Sequence, residues 1–228
     1  MTFSIIARCE RTGRLGVASA TYSIACGRRN ESVRANVGVS KSQAFYLRQV
    51  DVLALNMLSQ GHAPRHIMAT LAAGDPDIEY RQFGIIDREG NVVAHSGSNI
   101  KPWAGKRVGP NYAAYGNVLA GPQVVDGIVA GFLRHPDAAL EYRLLEAIEG
   151  GRDTGGQMSD GEPWPERSAW IRVVGQLDHP EVDLRVDFDD RSVALLRTLL
   201  EQYKRREDYY RERIRNPRTA VSEEDLAL

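Results

Sequence analysis

The chain has 228 residues, 43% of them apolar and 26% charged, with a formal net charge of −1 at pH 7. That balance lacks the basic footprint of a nucleic-acid binder, and no apolar run nears the ~18 residues that a membrane helix needs. No charged region leads into an apolar core at the N-terminus, so a cytoplasmic location is expected.

In chain order, "TFSIIARC" reads as a strand, "ERTGR" as a turn and "LGVASATYSIAC" as a second strand. With Thr12-Gly13 as a two-residue loop, Thr2 falls opposite Ser23. Thr2, Ser4, Ile6 and Arg8 then share a face with Val17, Ser19, Thr21 and Ser23. That face carries a cluster of hydroxyls, either lining a pocket or forming the solvent side of a sheet; Phe3, Ile5, Ala7 and Cys9 make the other face apolar. A bulged turn would shift this register by one residue.

"VRANVGVSKSQA" is a third strand. Helices follow from about Tyr46 to Ser59 and from Pro64 to Gly74, each closed by a glycine. "EYRQFGIIDREGNVVAHSG" is a hairpin around "REGN". The stretch from Ser96 to Pro110 has no periodicity and reads as loop. "GPQVVDGIVAGFL" and "HPDAALEYRLLEAIEGG" form a helix pair, and the polar, glycine-rich stretch from Gly150 to Pro165 reads as a mobile loop. "SAWIRVVG" and "EVDLRVDF" are strands, and a last helix starts near Asp190. Its charged extension through Arg215 is either a homo-oligomer contact or a solvated overhang. Strands and helices thus come in groups rather than alternating singly. This order indicates one layered α+β domain over 1–215, with antiparallel or mixed sheets under paired helices, and a flexible tail over 216–228.

Thr2 is the first candidate for chemistry. If Met1 is removed, Thr2 carries a hydroxyl nucleophile and a free α-amino group whose ordinary pKa is about 7.7–8.0, so one residue supplies nucleophile and base. Asn117, in "YGNVLAG", is a candidate oxyanion donor or a turn residue. His95, at a strand end, would orient the amine or is structural. Lys41 and Gln43, in "VSKSQA", would line a pocket, and Trp103 would floor it or pin a loop. His62 and His66 are four apart, but Gly61 and Pro64 put the first in a loop, so no metal site is expected. Cys9 and Cys26 make neither a disulfide framework nor a metal-ligand spacing. Phosphate-loop and G-x-S-x-G patterns are absent.

Four stretches in order, "TFSIIARCERTGRLGVASAT", "RQFGIIDREGNVVAHSGS", "WAGKRVGPNYAAYGNVLAG" and "EVDLRVD", resemble the DUF1028 family, assigned to the N-terminal nucleophile (Ntn) hydrolase superfamily. The resemblance implies a four-layer αββα sandwich of two antiparallel sheets between helical layers. It also implies amide hydrolysis with Thr2 as nucleophile, and it implies no substrate; the leading expectation is a small-molecule or peptide-like amide, with no cofactor required. On this reading Thr2, Asn117 and His95 are catalytic, and Thr21, Ser23, Lys41, Gln43 and Tyr115 meet the substrate. The chain departs from the family pattern at Tyr22, Tyr115 and Arg167, where a pocket is expected. The rival is a non-catalytic binding or assembly protein on the same fold.

Overall fold

β1 (Thr2–Arg8) is buried on both faces, so alternation alone does not explain it. It lies inside a six-stranded antiparallel sheet, bonded to β2 (Leu15–Thr21) on one side and β8 (Tyr112–Asn117) on the other. The full order is β12-β11-β2-β1-β8-β7, with β7 at Ala104–Gly109, β11 at Ser168–Val174 and β12 at Pro180–Val186. In this computed structural model residues 1–28, 32–177 and 179–225 are described. A second antiparallel sheet, order β3-β4-β5-β6, holds β3 (Val33–Arg34), β4 (Gly38–Ala44), β5 (Arg81–Asp87) and β6 (Val92–Ser96). The described residues thus form a mixed α/β structure with antiparallel sheets and five α-helices.

Packing follows from three apolar clusters. Phe3, Ile5 and Ala7 on β1, with Ala18 and Ala20 on β2, meet α3 (Pro122–Arg134), α4 (Leu140–Asp153) and α5 (Ser192–Arg215) through Ile128, Leu144, Ile148 and Leu196. Ile6, Val17 and Tyr115 face Val39 and Ile86 of the second sheet. The far side of that sheet is covered by α1 (Arg48–Ser59) and α2 (Pro64–Gly74), where Leu55, Ile67 and Phe83 pack. The sheets approach closely at Gly84: a Cβ there would lie 2.7 Å from Tyr115 Cε1 and 2.9 Å from Ile6 Cδ1. Among the described residues no helix is long and apolar enough to cross a membrane.

Several expectations are corrected. The first hairpin closes with Cys9 N–H on the Arg14 carbonyl at 2.8 Å, so its loop is the four residues Glu10–Gly13. The register therefore moves by two residues, placing Thr2 opposite Thr21 and preserving the predicted faces. The hydroxyl face is buried between the sheets rather than solvated, with Ser4, Ser19 and Thr21 each nearly inaccessible. The predicted loop from Ser96 to Pro110 contains β7, and the next segment, through "YAAYGN", is the buried strand β8. The stretch from Gly150 to Pro165 contains the end of α4 and a small hairpin, β9 (Gln157–Ser159) with β10 (Glu162–Trp164). The expected free tail instead returns along α5: Tyr209 Oη donates to the Val221 carbonyl at 3.2 Å, and Tyr210 Oη to Glu223 at 3.0 Å. Positions 226–228 of that tail lie outside the described residues.

Candidate active site

Thr2 begins β1, and its two cross-strand neighbours are Thr21 on β2 and Asn117 on β8. Its hydroxyl lies 3.0 Å from Thr21 Oγ1, and both hydroxyls donate to the Met1 carbonyl at 2.5 Å. Thr21 Oγ1 also accepts from Ser23 N–H at 3.2 Å. The bonds to β2 and β8 hold the start of this strand on both sides. Burial and the nearby Lys101 charge hold the Met1 ammonium below its usual value. Lys101 itself is tethered at 2.6 Å to Ser159 Oγ and at 3.3 Å to Asp160.

Below Thr2, side chains from both sheets form a buried amide network. Gln43 Nε2 donates to the Thr2 carbonyl at 3.2 Å and to Gln82 Oε1 at 2.7 Å, while Gln43 Oε1 accepts from Ser4 Oγ at 2.6 Å. Ser4 Oγ is 2.8 Å from Ser19 Oγ. Asn117 is buried, and its Nδ2 donates to Gln82 Oε1 at 3.0 Å, which uses one of its two N–H groups. Gln82 Nε2 donates to the Gly116 carbonyl and to Ser96 Oγ. Gln82 thus joins the two strands that carry Asn117 and Gln43. Such a network is worth most when every member is paired, because unpaired amides are costly at this depth.

Lys41 is buried, not exposed; its Nζ donates to the Ser42 carbonyl at 2.6 Å. Behind it, Asp51 on α1 accepts from Ser40 and Ser42 at 3.0 and 2.7 Å. Burial pushes the Asp51 carboxyl up to about 6, against the opposing pull of Lys41 and the two serines. Tyr115 is also fully buried, and its hydroxyl donates to the Lys41 carbonyl at 2.6 Å. Burial and Asp51 push that phenol well above its usual range. Tyr115 therefore spaces the sheets and is not open to a substrate.

Two expected site residues stand elsewhere. His95 pairs with Phe83 on the helix-covered face of the second sheet, and its Nε2 is 3.0 Å from the Ile78 carbonyl. It faces away from the Thr2 side because Gln82 and Ser96, one residue along each strand, take the inner face. Ser23 lies past the end of β2 and is exposed, since the four-residue loop pairs Thr21 with Thr2 instead. Gln82 was missed by the sequence reading. Its signal was present: a lone amide in "RQFGIID", in phase with Gly84 and Ile86, is a polar side chain assigned to a buried face.

The departures at Tyr22 and Arg167 meet each other. The Arg167 guanidinium lies 3.7 Å from the Tyr22 ring centre, and Arg167 Nε donates to the Tyr22 carbonyl at 3.0 Å. Trp164 packs edge-on against the same ring at 4.3 Å. Gln157 Oε1 accepts from Tyr22 N–H at 2.8 Å and its amide donates to Glu166, whose carboxyl is pushed up by burial. This stack follows directly on Thr21 and forms a rigid wall at the end of β2.

The comparison with curated proteins returned no significant match. Among solved structures, the chain is similar to the crystal structure of protein SPO2555 from Silicibacter pomeroyi, which carries the DUF1028 family assignment. The two share 28% identity at a TM-score of 0.78, with 89% of each chain covered. Residues 2–196, from the candidate nucleophile to the middle of the first turns of α5, match a family described as a family of unknown function. The chain belongs to the DUF1028 family.

Proposed function

We propose that this protein is an amidohydrolase of the N-terminal nucleophile type, with its two sheets and covering helices forming that superfamily's four-layer αββα sandwich. One observation carries the reading: Thr2 Oγ1 is held beside Thr21 Oγ1 at the head of a strand bonded on both sides, with the Asn117 amide on the opposite neighbour. Removal of Met1 frees the Thr2 amine. The half-burial and Lys101 field that hold down the Met1 ammonium would act on the Thr2 ammonium too, favouring the neutral amine that serves as base.

In the first step the Thr2 hydroxyl attacks the substrate carbonyl and its proton passes to the amine. The C–N bond then breaks and the leaving nitrogen takes that proton, so an amine departs and an acyl ester remains on Thr2. Water, deprotonated by the same amine, cleaves the ester and releases an acid. The second N–H of Asn117 is the side-chain donor for the developing oxyanion. Lys41, Gln43 and Gln82 position these strands from below and touch no substrate; the substrate is a small or peptide-like amide that approaches along the Tyr22–Trp164 wall.

A second reading has a specific observation behind it. Met1 is half-buried and its carbonyl is bonded by both threonine hydroxyls, which suits a non-catalytic binding protein that keeps its first residue. Intact mass spectrometry of the protein made with no N-terminal tag separates the two. A mass short of one methionine, with hydrolysis of a panel of acyl anilides lost in Thr2→Ala, supports the hydrolase. A retained Met1, or turnover unchanged in Thr2→Ala, overturns it.

A further inference from the structure

At the other end of β1, roughly 20 Å from Thr2 by the rise of a seven-residue strand, a groove of about 400 Å³ lies between the first hairpin loop and the α3–α4 connection. Arg8, Arg11 and Arg143 line it, with Phe132, Leu133 and Pro110 as an apolar wall. The three guanidinium groups are not equivalent. Arg11 is exposed and pairs with Asp137 at 3.7 Å. Arg143 is half-buried with its guanidinium 4.1 Å from the Phe132 ring centre, and it donates only from Nε, to the Phe132 carbonyl at 3.2 Å. Arg8 donates from Nε to the Arg88 carbonyl at 2.6 Å and makes one long contact, 3.5 Å, to Asn111. Neither Arg8 nor Arg143 has a carboxylate partner among the described residues. Of the acids at the edge, Asp137 is taken by Arg11 and Glu10 is exposed.

An arginine has five N–H donors in a fixed fork, and a backbone carbonyl engaged at Nε leaves the two terminal nitrogens available. Two such forks, partly desolvated and with no carboxylate in ion-pair contact among the described residues, line one groove. The local field is felt nearby. Burial raises the Cys9 thiol, but the Thr12 hydroxyl, the Thr12 and Arg11 backbone N–H groups and the Arg143 charge together hold it below its usual value. Burial lowers the Arg143 guanidinium; Cys9 opposes this, Arg11 adds to it, and Asp137 and Glu146 oppose it more weakly.

We infer that this groove is a binding site, separate from Thr2, for a small dianionic oxyanion carried on an apolar body, with the phosphate monoester as its chemical class. The Arg8 and Arg143 forks take the oxyanion, and the exposed Leu133 and Pro110 take the body. The inference does not depend on the hydrolase reading.

Calorimetric titration in a chloride-poor buffer with phenyl phosphate, and with benzoate as the monoanion of similar body, tests it. Phenyl phosphate should bind with one-to-one stoichiometry and at least tenfold more tightly than benzoate. Arg143→Met and Arg8→Met should each weaken it by tenfold or more, while Arg107→Gln on β7, which breaks an exposed pair with Asp126 on α3, leaves it unchanged. Amide shifts on titration of the unaltered protein locate the site without a substitution and should centre on Cys9, Arg11 and Thr12. Absence of saturable binding up to about 10 mM, equal affinity for benzoate, shifts centred elsewhere, or undiminished binding in both arginine variants overturns the inference.

Discussion

Thr2 and Thr21 face each other across the β1–β2 pair with their hydroxyls 3.0 Å apart, and both are hydrogen-bonded to the carbonyl of the residue that precedes Thr2. While Met1 is present that shared acceptor fixes both rotamers; once Met1 is removed, the 3.0 Å contact between the two hydroxyls remains to position Thr2 Oγ1. Thr21→Val keeps the shape and deletes one of them. The expected cost in stability is about 1–2 kcal/mol. Acyl anilide turnover should fall at least tenfold with KM little changed, because the lost contact orients the nucleophile. Steady-state kinetics beside a urea melt checks both; unchanged kcat would remove Thr21 from the site.

Lys101 gives a pH test of the proposed base. Burial, and beside it the Lys101 charge, disfavours the ammonium form of the N-terminal amine, so the folded protein holds that group below its usual value. On removal of Met1, kcat/KM should rise with pH through an inflection below the ordinary α-amino range of about 7.7–8.0. Lys101→Met removes the repelling charge, so the inflection should move upward and activity at pH 7 should fall. A pH–rate profile of both proteins reads the shift directly.

Asp51 makes stability depend on pH. Its carboxyl is raised from 3.8 to about 6 on folding, so the native state binds the proton more tightly than the unfolded chain. The contribution of this group is complete below about pH 4 and is lost as pH rises through about 6. The shift corresponds to about 3 kcal/mol. Asp51→Asn, which retains an acceptor for Ser40 or Ser42, should flatten the stability profile across that window. Denaturant unfolding at half-unit steps from pH 4 to 7.5 measures the difference in slope between the two proteins.

Gly84 sets how near the sheets can come. Adding a Cβ puts it inside contact distance of the Tyr115 ring and Ile6, neither of which has room to withdraw, since both are fully buried. Gly84→Ala should therefore cost about 1–3 kcal/mol. By forcing the sheets apart it should also loosen the bonds that cross between them, from Gln43 to the Thr2 carbonyl and from Gln82 to the Gly116 carbonyl. Thermal melts show the first effect, and faster exchange of the Gln43 and Gln82 side-chain amides shows the second.

The element order was legible because most of the chain obeys a clear period. "PQVVDGIVAGFLR" repeats at helical spacing and "RQFGIID" is flanked by turn residues, so α3 and β5 stand where pattern reasoning puts them. β8 was not legible. "YAAYGN" is buried on both faces, so it shows no apolar–polar alternation, and its partner β7, "AGKRVG", is polar and mostly outward. The site was legible in the same uneven way. Thr2, Thr21, Gln43 and Asn117 do come together, because a register shift of two keeps each side chain on its face. His95 does not, since one position along a strand reverses its direction. The burial of Lys41 had no sequence signal: it depends on Asp51, ten residues away on another element, lying behind its strand.

The strand that bears Thr2 sits inside its sheet, with a bonded partner on each side and a second sheet beneath it. Nothing in that arrangement can swing, so the chain segments that end beside it, 22–25, 96–103 and 160–167, are the parts free to vary in length and chemistry. Substitutions in those segments can redraw what reaches the strand end, where the Tyr22–Arg167 stack stands, without touching the frame that presents Thr2.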